Sequence, residues 1–228
     1  MGESKKYIIG NWKSNKTKED VAVFFSLFSH LIKTDKYSAS PVVEAVICPS
    51  FIHLEQSSEF IQKLQIPIFL GAQNISPFGA GSYTGEVSAY QLKEYVRYVI
   101  IGHFERRKHF GETDTLLTLK SKQASNAGLK SIYCVPDAVT AVPKDVAIIA
   151  YEPIFAIGTG SPDSPQNANN VIKEIKNKNP KVPVIYGGSV TKDNIKEFLK
   201  MDSIDGVLPG KASLDADHFY RMLLNAAD

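Results

Sequence analysis

Short runs of apolar residues alternate with amphipathic segments along most of the chain. Continuous apolar runs are typical of strands that are buried on both faces of a parallel sheet. Eight runs have this character: Tyr7–Gly10, Val43–Cys48, Pro67–Leu70, Tyr98–Ile101, Ser131–Cys134, Ala147–Tyr151, Val184–Tyr186 and Gly206–Leu208. Apolar residues at helical spacing lie between runs, for example after the candidate caps Thr17 and Thr191. This α/β alternation favours a single (β/α)8 barrel domain over residues 1–228, rather than an open doubly wound sheet.

The connection between the fifth and sixth runs is short. Only 12 residues, from Val135 to Val146, separate the two strand candidates. That length is close to the lower limit for a parallel crossover that includes a helix. We therefore expect a vestigial helix after strand 5, of one or two turns near residues 137–142.

Composition narrows the classes of partner. The chain has 228 residues, 43% of them hydrophobic, and a formal net charge of +2. Because this charge excess is small, binding to nucleic acid through bulk charge is excluded, and an anionic partner has to be held by a few local groups. Neither a membrane span of roughly 18 apolar residues nor a signal peptide is visible. We predict a cytoplasmic protein without a membrane partner.

The two cysteines, Cys48 and Cys134, each close an apolar run. Free cysteine in such a setting usually behaves as a small buried hydrophobe. A disulfide or a reactive thiol is the less favoured alternative. No CxxC or Cys/His spacing is present, so no metal site is predicted.

Polar residues follow three of the runs, at the end of a parallel barrel where ligands bind. Asn11 and Lys13 follow the first run, His103 and Glu105 the fourth, and Glu152 the sixth. Each side chain alone is equally consistent with a structural role, such as a solvated cation or a helix-start carboxylate. Together, a cation, an imidazole and a carboxylate can hold an anion, polarise a carbonyl and remove a neighbouring proton.

Glycine-rich segments follow the seventh and eighth runs, at Gly187–Ser189 and Gly210–Ser213. Such loops bring backbone N–H groups close to a ligand, and in this barrel they commonly bind phosphate. A nucleotide P-loop is excluded because Asp205 stands where its first glycine is needed. A zinc deaminase site is excluded because the H-x-E at His103 has no P-C-x-x-C companion. A small phosphorylated carbonyl compound is the predicted ligand.

Five ordered segments resemble the triosephosphate isomerase family: Gly10–Lys13, Ile101–Arg107, Tyr151–Gly160, Tyr186–Val190 and Gly206–Leu214. Ala72–Asn74 and Tyr83–Glu86 are similar to the family's third loop. The resemblance implies interconversion of dihydroxyacetone phosphate and D-glyceraldehyde 3-phosphate in glycolysis and gluconeogenesis. It implies an enediol(ate) intermediate and neither cofactor nor metal.

The resemblance also implies roles for the polar residues. Glu152 would be the base that moves the proton between adjacent carbons, and His103 would polarise the carbonyl. Lys13 would stabilise the developing negative charge, with Asn11 beside it. Glu105 resembles the buried carboxylate that positions Lys13.

Further matched positions concern binding and assembly. The phosphate-binding positions of the family correspond to Gly158, Ser189 and the backbone of Gly210 and Lys211. The segment 153–160 resembles a mobile lid. Thr84 resembles the residue that reaches into the neighbouring subunit's site, so a homodimer is implied and a tetramer stays open.

Besides a mild change at Phe155, three residues depart from the family pattern. Phe104 stands in place of a small serine, and we expect its ring to crowd Glu152 and lower turnover. Lys211 replaces a glycine and is expected to resist positive φ and shift the phosphate loop; alternatively, its cation helps to hold the phosphate. Pro209 deletes one N–H.

These departures motivate an alternative from another class, a catalytically weakened isomerase scaffold with a binding or structural role. A different phosphosugar isomerase or epimerase is a further alternative.

Overall fold

The computed structural model describes residues 5–35, 40–156 and 162–227. Its strands are β1 (Lys6–Asn11), β2 (Val43–Cys48), β3 (Phe69–Ala72), β4 (Tyr98–Ile101), β5 (Lys130–Val135), β6 (Ile148–Tyr151), β7 (Val184–Tyr186) and β8 (Gly206–Val207). Sequential strands pair in parallel, and β8 pairs with β1, so the sheet closes into a barrel. The predicted (β/α)8 architecture is confirmed, and the largest change among the strand boundaries is at β3.

Helices surround the barrel: α1 (Lys18–Thr34), α2 (Leu54–Leu64), α3 (Ala89–Leu92), α4 (Phe104–Phe110), α5 (Asp114–Asn126), α6 (Pro165–Lys178), α7 (Ile195–Leu199) and α8 (Ala216–Ala227). Thr17 caps α1 as predicted, because its side chain accepts a hydrogen bond from the N–H of Asp20. The predicted cap Thr191 is wrong, since α7 begins only after Asn194. In the parts of the chain that the structure describes, no helix is both long enough and apolar enough to cross a membrane.

The connection between β5 and β6 differs from the expectation. Residues 136–147 are all described and contain bends and a turn but no helix. Asp137 Oδ1 accepts hydrogen bonds from the N–H groups of Val139 and Thr140, at 3.0 and 2.8 Å. These bonds satisfy the backbone in a tight turn, and Pro143 is unfavourable in a helix interior. The expected vestigial helix is therefore replaced by a side-chain-capped turn.

The core has two layers because successive strand residues point to opposite faces. In β1, Ile8 packs toward the helices and Ile9 into the barrel; in β4, Val99 packs outward and Ile100 inward. The barrel interior is filled by Ile9, Val46, Cys48, Tyr98, Ile100, Ile132, Cys134, Ile148, Ala150, Ile185 and Leu208. Both cysteines are free and buried there, which confirms the packing interpretation, and burial raises the pKa of both thiols.

The last strand closes the ring over a short length. β8 pairs with β7 at Tyr186–Val207 and with β1 at Tyr7–Gly206 and Ile8–Val207. A side chain at position 206 would not fit, because its Cβ would clash with the Tyr7 carbonyl oxygen. The chain after β8 stays beside β1, since the N–H of Asn11 donates to the Pro209 carbonyl at 2.9 Å. This brings two of the loops with predicted chemistry together.

Candidate active site

The carboxyl ends of the strands enclose a cavity of about 930 Å³. Most of the predicted site residues that the structure describes line it: Asn11, Lys13, His103, Ser189, Gly210 and Lys211. Glu152 lines a neighbouring cavity of about 230 Å³, with one carboxylate oxygen 3.3 Å from His103 Nε2. Strands far apart in the sequence thus bring the predicted groups to one end of the barrel.

Glu152 is held by the backbone of the β4 loop. It directly follows β6 and is only 2% exposed. Its Oε2 accepts a hydrogen bond from the N–H of Phe104 at 2.8 Å. Its Oε1 is buried and has no hydrogen-bond partner among the described residues; the 3.3 Å approach of His103 Nε2 lacks the alignment of a hydrogen bond. A carboxylate with one anchored and one unpaired oxygen can accept a proton from a ligand.

The end of β7 makes room for that carboxylate. A Cβ at position 187 would lie 2.9 Å from Glu152 Cγ, closer than real side chains approach. The glycine at 187 therefore has a steric reason. It allows the side chain of Glu152 to occupy the space between β6 and β7.

His103 occupies the position before α4, and its ring is oriented by the helix. Its Nδ1 accepts a hydrogen bond from the N–H of Glu105 at 3.2 Å. An accepting ring nitrogen carries no proton, so this hydrogen bond assigns the hydrogen of the neutral imidazole to Nε2. Nε2 is the nitrogen near Glu152. The neutral ring thus has a donor on the side where a carbonyl would be polarised.

Lys13 has an uncommon backbone conformation, with φ of 54°. Its N–H donates to Asn11 Oδ1 at 3.0 Å, which gives Asn11 a positioning role. Its carbonyl accepts hydrogen bonds from Gln73 Nε2 at 2.9 Å and from Ser50 Oγ at 3.2 Å. Its Nζ donates to Glu105 Oε1 at 2.6 Å. Both the main chain and the ammonium of Lys13 are fixed.

Glu105 pairs with Lys13 but is not buried as the resemblance implied. Its side chain is 40% exposed, because it lies in the first turn of α4 near solvent. Burial by itself would raise the pKa of this carboxyl, but the hydrogen bond from Lys13 and the charge of Lys13 outweigh it and lower the pKa. Glu105 is therefore a charged partner for Lys13.

Sequence reasoning assigned no role to Gln73. Besides the Lys13 carbonyl, its Nε2 reaches the Cys48 carbonyl at 2.9 Å, so one amide links the ends of β1 and β2. Gln73 directly follows β3. The rule that polar residues after barrel strands point to the site would have found it.

The loop after β8 has the form of an anion site. Gly210 has φ of −91°, and Lys211 begins a short 3-10 helix over Lys211–Ser213. Lys211 does not have positive φ, so the expected strain at this position is wrong. The N–H groups of Gly210 and Lys211 have no acceptor within the described residues. Two unpaired N–H groups in a loop that lines a cavity are suited to phosphate oxygens.

Phe104 affects Glu152 differently from the simple expectation. The lost serine hydroxyl does not leave the carboxylate without a donor, because the Phe104 N–H supplies one. The Phe104 ring borders the same small cavity as Glu152, with Lys108 Nζ 5.6 Å from the ring centre. Crowding of Glu152 by this ring stays a prediction.

For two of the predicted site residues, Gly158 and Thr84, the structure shows no place at this cavity. Gly158 and residues 157–160 of the expected lid lie outside the described part of the chain. Thr84 is exposed in the loop after β3 and lines neither cavity. Its intersubunit role stays a prediction.

Comparisons with known proteins agree with this arrangement. The family model for triosephosphate isomerase matches residues 6–146 and 138–226. A triosephosphate isomerase of Mesomycoplasma hyorhinis is 37% identical, over 96% of this chain and 98% of the relative. That of Chlamydia felis is 35% identical over 98% of both chains, and that of Mesomycoplasma hyopneumoniae strain 232 is 39% identical over 97% and 100%. The chain therefore belongs to the triosephosphate isomerase family.

Proposed function

We propose that the chain interconverts dihydroxyacetone phosphate and D-glyceraldehyde 3-phosphate. The observation that carries this proposal is the pairing of two unlike groups: the unpaired Oε1 of Glu152 lies 3.3 Å from Nε2 of a neutral His103. A base and a hydrogen-bond donor at this spacing fit a carbonyl and the carbon next to it. The match to the triosephosphate isomerase family supports the choice of substrate.

The reaction moves one proton between two carbons. Glu152 takes a proton from the carbon beside the carbonyl, and the C–H electron pair forms the carbon–carbon double bond of an enediol(ate). His103 Nε2–H donates to the oxygen that gains negative charge, and the Lys13 ammonium stabilises it. Protonated Glu152 then returns the proton to the adjacent carbon, while the hydroxyl proton passes from the first oxygen to the second by way of His103, so the product is an isomer of the substrate.

The phosphate binds at the other end of the cavity. The unpaired N–H groups of Gly210 and Lys211 are the supporting observation, with Ser189 lining the same space. By resemblance, Gly158 adds a further ligand from the lid. Positioning residues complete the site, because Asn11 holds the Lys13 N–H and Glu105 holds its ammonium.

A coupled assay with D-glyceraldehyde 3-phosphate tests the proposal. We expect turnover in the purified protein and a loss of at least about a hundredfold in kcat for Glu152→Gln, since the amide cannot accept the proton. Glu55→Gln, an exposed carboxylate in α2, is the matched control. Turnover no higher than background, or equal rates for wild type and Glu152→Gln, would leave only the scaffold alternative.

We also propose that the chain is one barrel domain and assembles as a homodimer through the loop after β3. That loop is exposed around Thr84, and the rings of Phe78 and Tyr83 stack at 4.3 Å between centres. Exposed aromatic pairs are common at protein interfaces. Sedimentation at several concentrations tests assembly, and a monomer at every concentration would contradict the role of Thr84.

A further inference from the structure

Carboxylates lie close to the lysine of the catalytic cavity that would bind the substrate. Lys13 lines the cavity, but Glu105 pairs with it at 2.6 Å. Glu152, in the neighbouring cavity, is a second carboxylate, and Asp215, which lines the catalytic cavity, is a third. His103 is neutral in the tautomer that its hydrogen bonds assign. A further cation without a carboxylate partner would therefore favour binding of a phosphate dianion in this cavity.

Lys211 supplies a cation at the phosphate end. It lines the 930 Å³ cavity, and its side chain is exposed. Within the described ranges 5–35, 40–156 and 162–227, its ammonium has no ion pair or hydrogen bond. Lys211 therefore differs from Lys13, whose charge is offset by a carboxylate.

The loop geometry places both lysines around the same backbone. A Cβ added to Gly210 would lie 3.5 Å from Lys13 Cε, so the stem of Lys13 passes over the residue before Lys211. The unpaired N–H groups of Gly210 and Lys211 lie in this segment. An anion bound by these N–H groups lies beside the base of the Lys211 side chain.

We infer that the Lys211 ammonium is a phosphate ligand of this chain, in addition to its backbone N–H. This inference rests on the proposed function, since the ligand is the phosphate dianion of a triose phosphate. A flexible ammonium pairs with phosphate as a point charge and gives a charge-assisted hydrogen bond. The side chain that replaces a glycine thus increases affinity for the dianion and leaves the proton transfer to Glu152 and His103.

The experiment compares Lys211→Met and Lys211→Gly with wild type. We expect KM for D-glyceraldehyde 3-phosphate to rise about tenfold and kcat to change by less than about twofold, as for the loss of one charge-assisted hydrogen bond. Lys211→Arg should restore most of the affinity. Lys63→Met, an exposed lysine in the last turn of α2, controls for the change in net charge.

Inorganic phosphate binding, measured by calorimetry on the same proteins, separates this inference from the proposed function. We expect weaker phosphate binding in Lys211→Met and a smaller loss of affinity with added salt than in wild type. A protein that binds phosphate through Lys211 but has no turnover would refute the isomerase activity alone. Unchanged KM and phosphate affinity in both Lys211→Met and Lys211→Gly, or an equal effect of Lys63→Met, would overturn the role of Lys211.

Discussion

Replacing Gln73 by methionine tests how the backbone of Lys13 is held in place. A non-glycine residue at φ of 54° carries a conformational cost of about 1–2 kcal/mol. The Gln73 amide donates to the Lys13 carbonyl and to the Cys48 carbonyl, both at 2.9 Å. Gln73→Met keeps the length of the side chain and removes both hydrogen bonds. The substitution therefore removes a restraint on Lys13 without touching its ammonium.

The expected loss of activity follows from the hydrogen bonds that Gln73→Met removes and from those that remain. The two lost hydrogen bonds together contribute a net free energy of about 1–3 kcal/mol. No carbonyl becomes unpaired, because Ser50 Oγ still reaches the Lys13 carbonyl at 3.2 Å and the Trp12 N–H reaches the Cys48 carbonyl at 3.1 Å. If these hydrogen bonds stabilise the catalytic position of Lys13, their loss lowers kcat/KM by about 5- to 150-fold.

Steady-state kinetics and urea unfolding together provide the assay. We expect Gln73→Met to lower kcat/KM in a protein that still unfolds cooperatively. Gln62→Met, in the exposed face of α2, is the matched control, because its amide only contacts Ser58 Oγ at 3.4 Å. A Gln73→Met protein with a lower unfolding free energy but kcat/KM within twofold of wild type would refute the positioning role.

Three further outcomes are expected. Lys120→Met should lower the unfolding free energy by about 1.5–3 kcal/mol, because the buried carboxylate of Glu112 loses one charged hydrogen bond and keeps the one from Arg106 Nε at 2.6 Å; a loss below about 1 kcal/mol in urea would contradict this. Both thiols should resist iodoacetamide at pH 8 until the chain is unfolded, since burial raises their pKa; rapid labelling of the native protein would show that the barrel interior opens. Phe104→Ser should raise kcat, and an equal or lower kcat would mean that the ring does not hinder Glu152.

The barrel could be predicted because its strands are continuous apolar runs. Runs such as Val43–Cys48 are specified locally, and eight of them in parallel order leave few arrangements. The crossover after β5 could not be predicted in detail. Its conformation depends on hydrogen bonds from Asp137 to the following backbone, which compete with a helix of similar length.

The identity of the site residues could be predicted, but their mutual geometry could not. Lys13 and Glu105 are 92 positions apart, and only the folded barrel fixes the distance between their charged atoms. The partners of Gln73 were not visible in the sequence either, because both are backbone carbonyls, one in the loop after β1 and one at the end of β2. The resemblance implied a buried Glu105, whereas its place in the first turn of α4 leaves it half-exposed.

β8 is the shortest strand of the barrel, and its junctions with β7 and β1 form a seam with few backbone hydrogen bonds. β1 and β2 are aligned over six residue pairs, from Lys6–Val43 to Asn11–Cys48, whereas β8 is only two residues long. Local opening of a protein begins where few backbone hydrogen bonds have to break. We expect amide hydrogen exchange to be faster in β8 than in β1, and a bound anion to slow it, because the loop of Gly210 and Lys211 emerges from this seam. Ligand binding would then stabilise the closed barrel against local opening at β8.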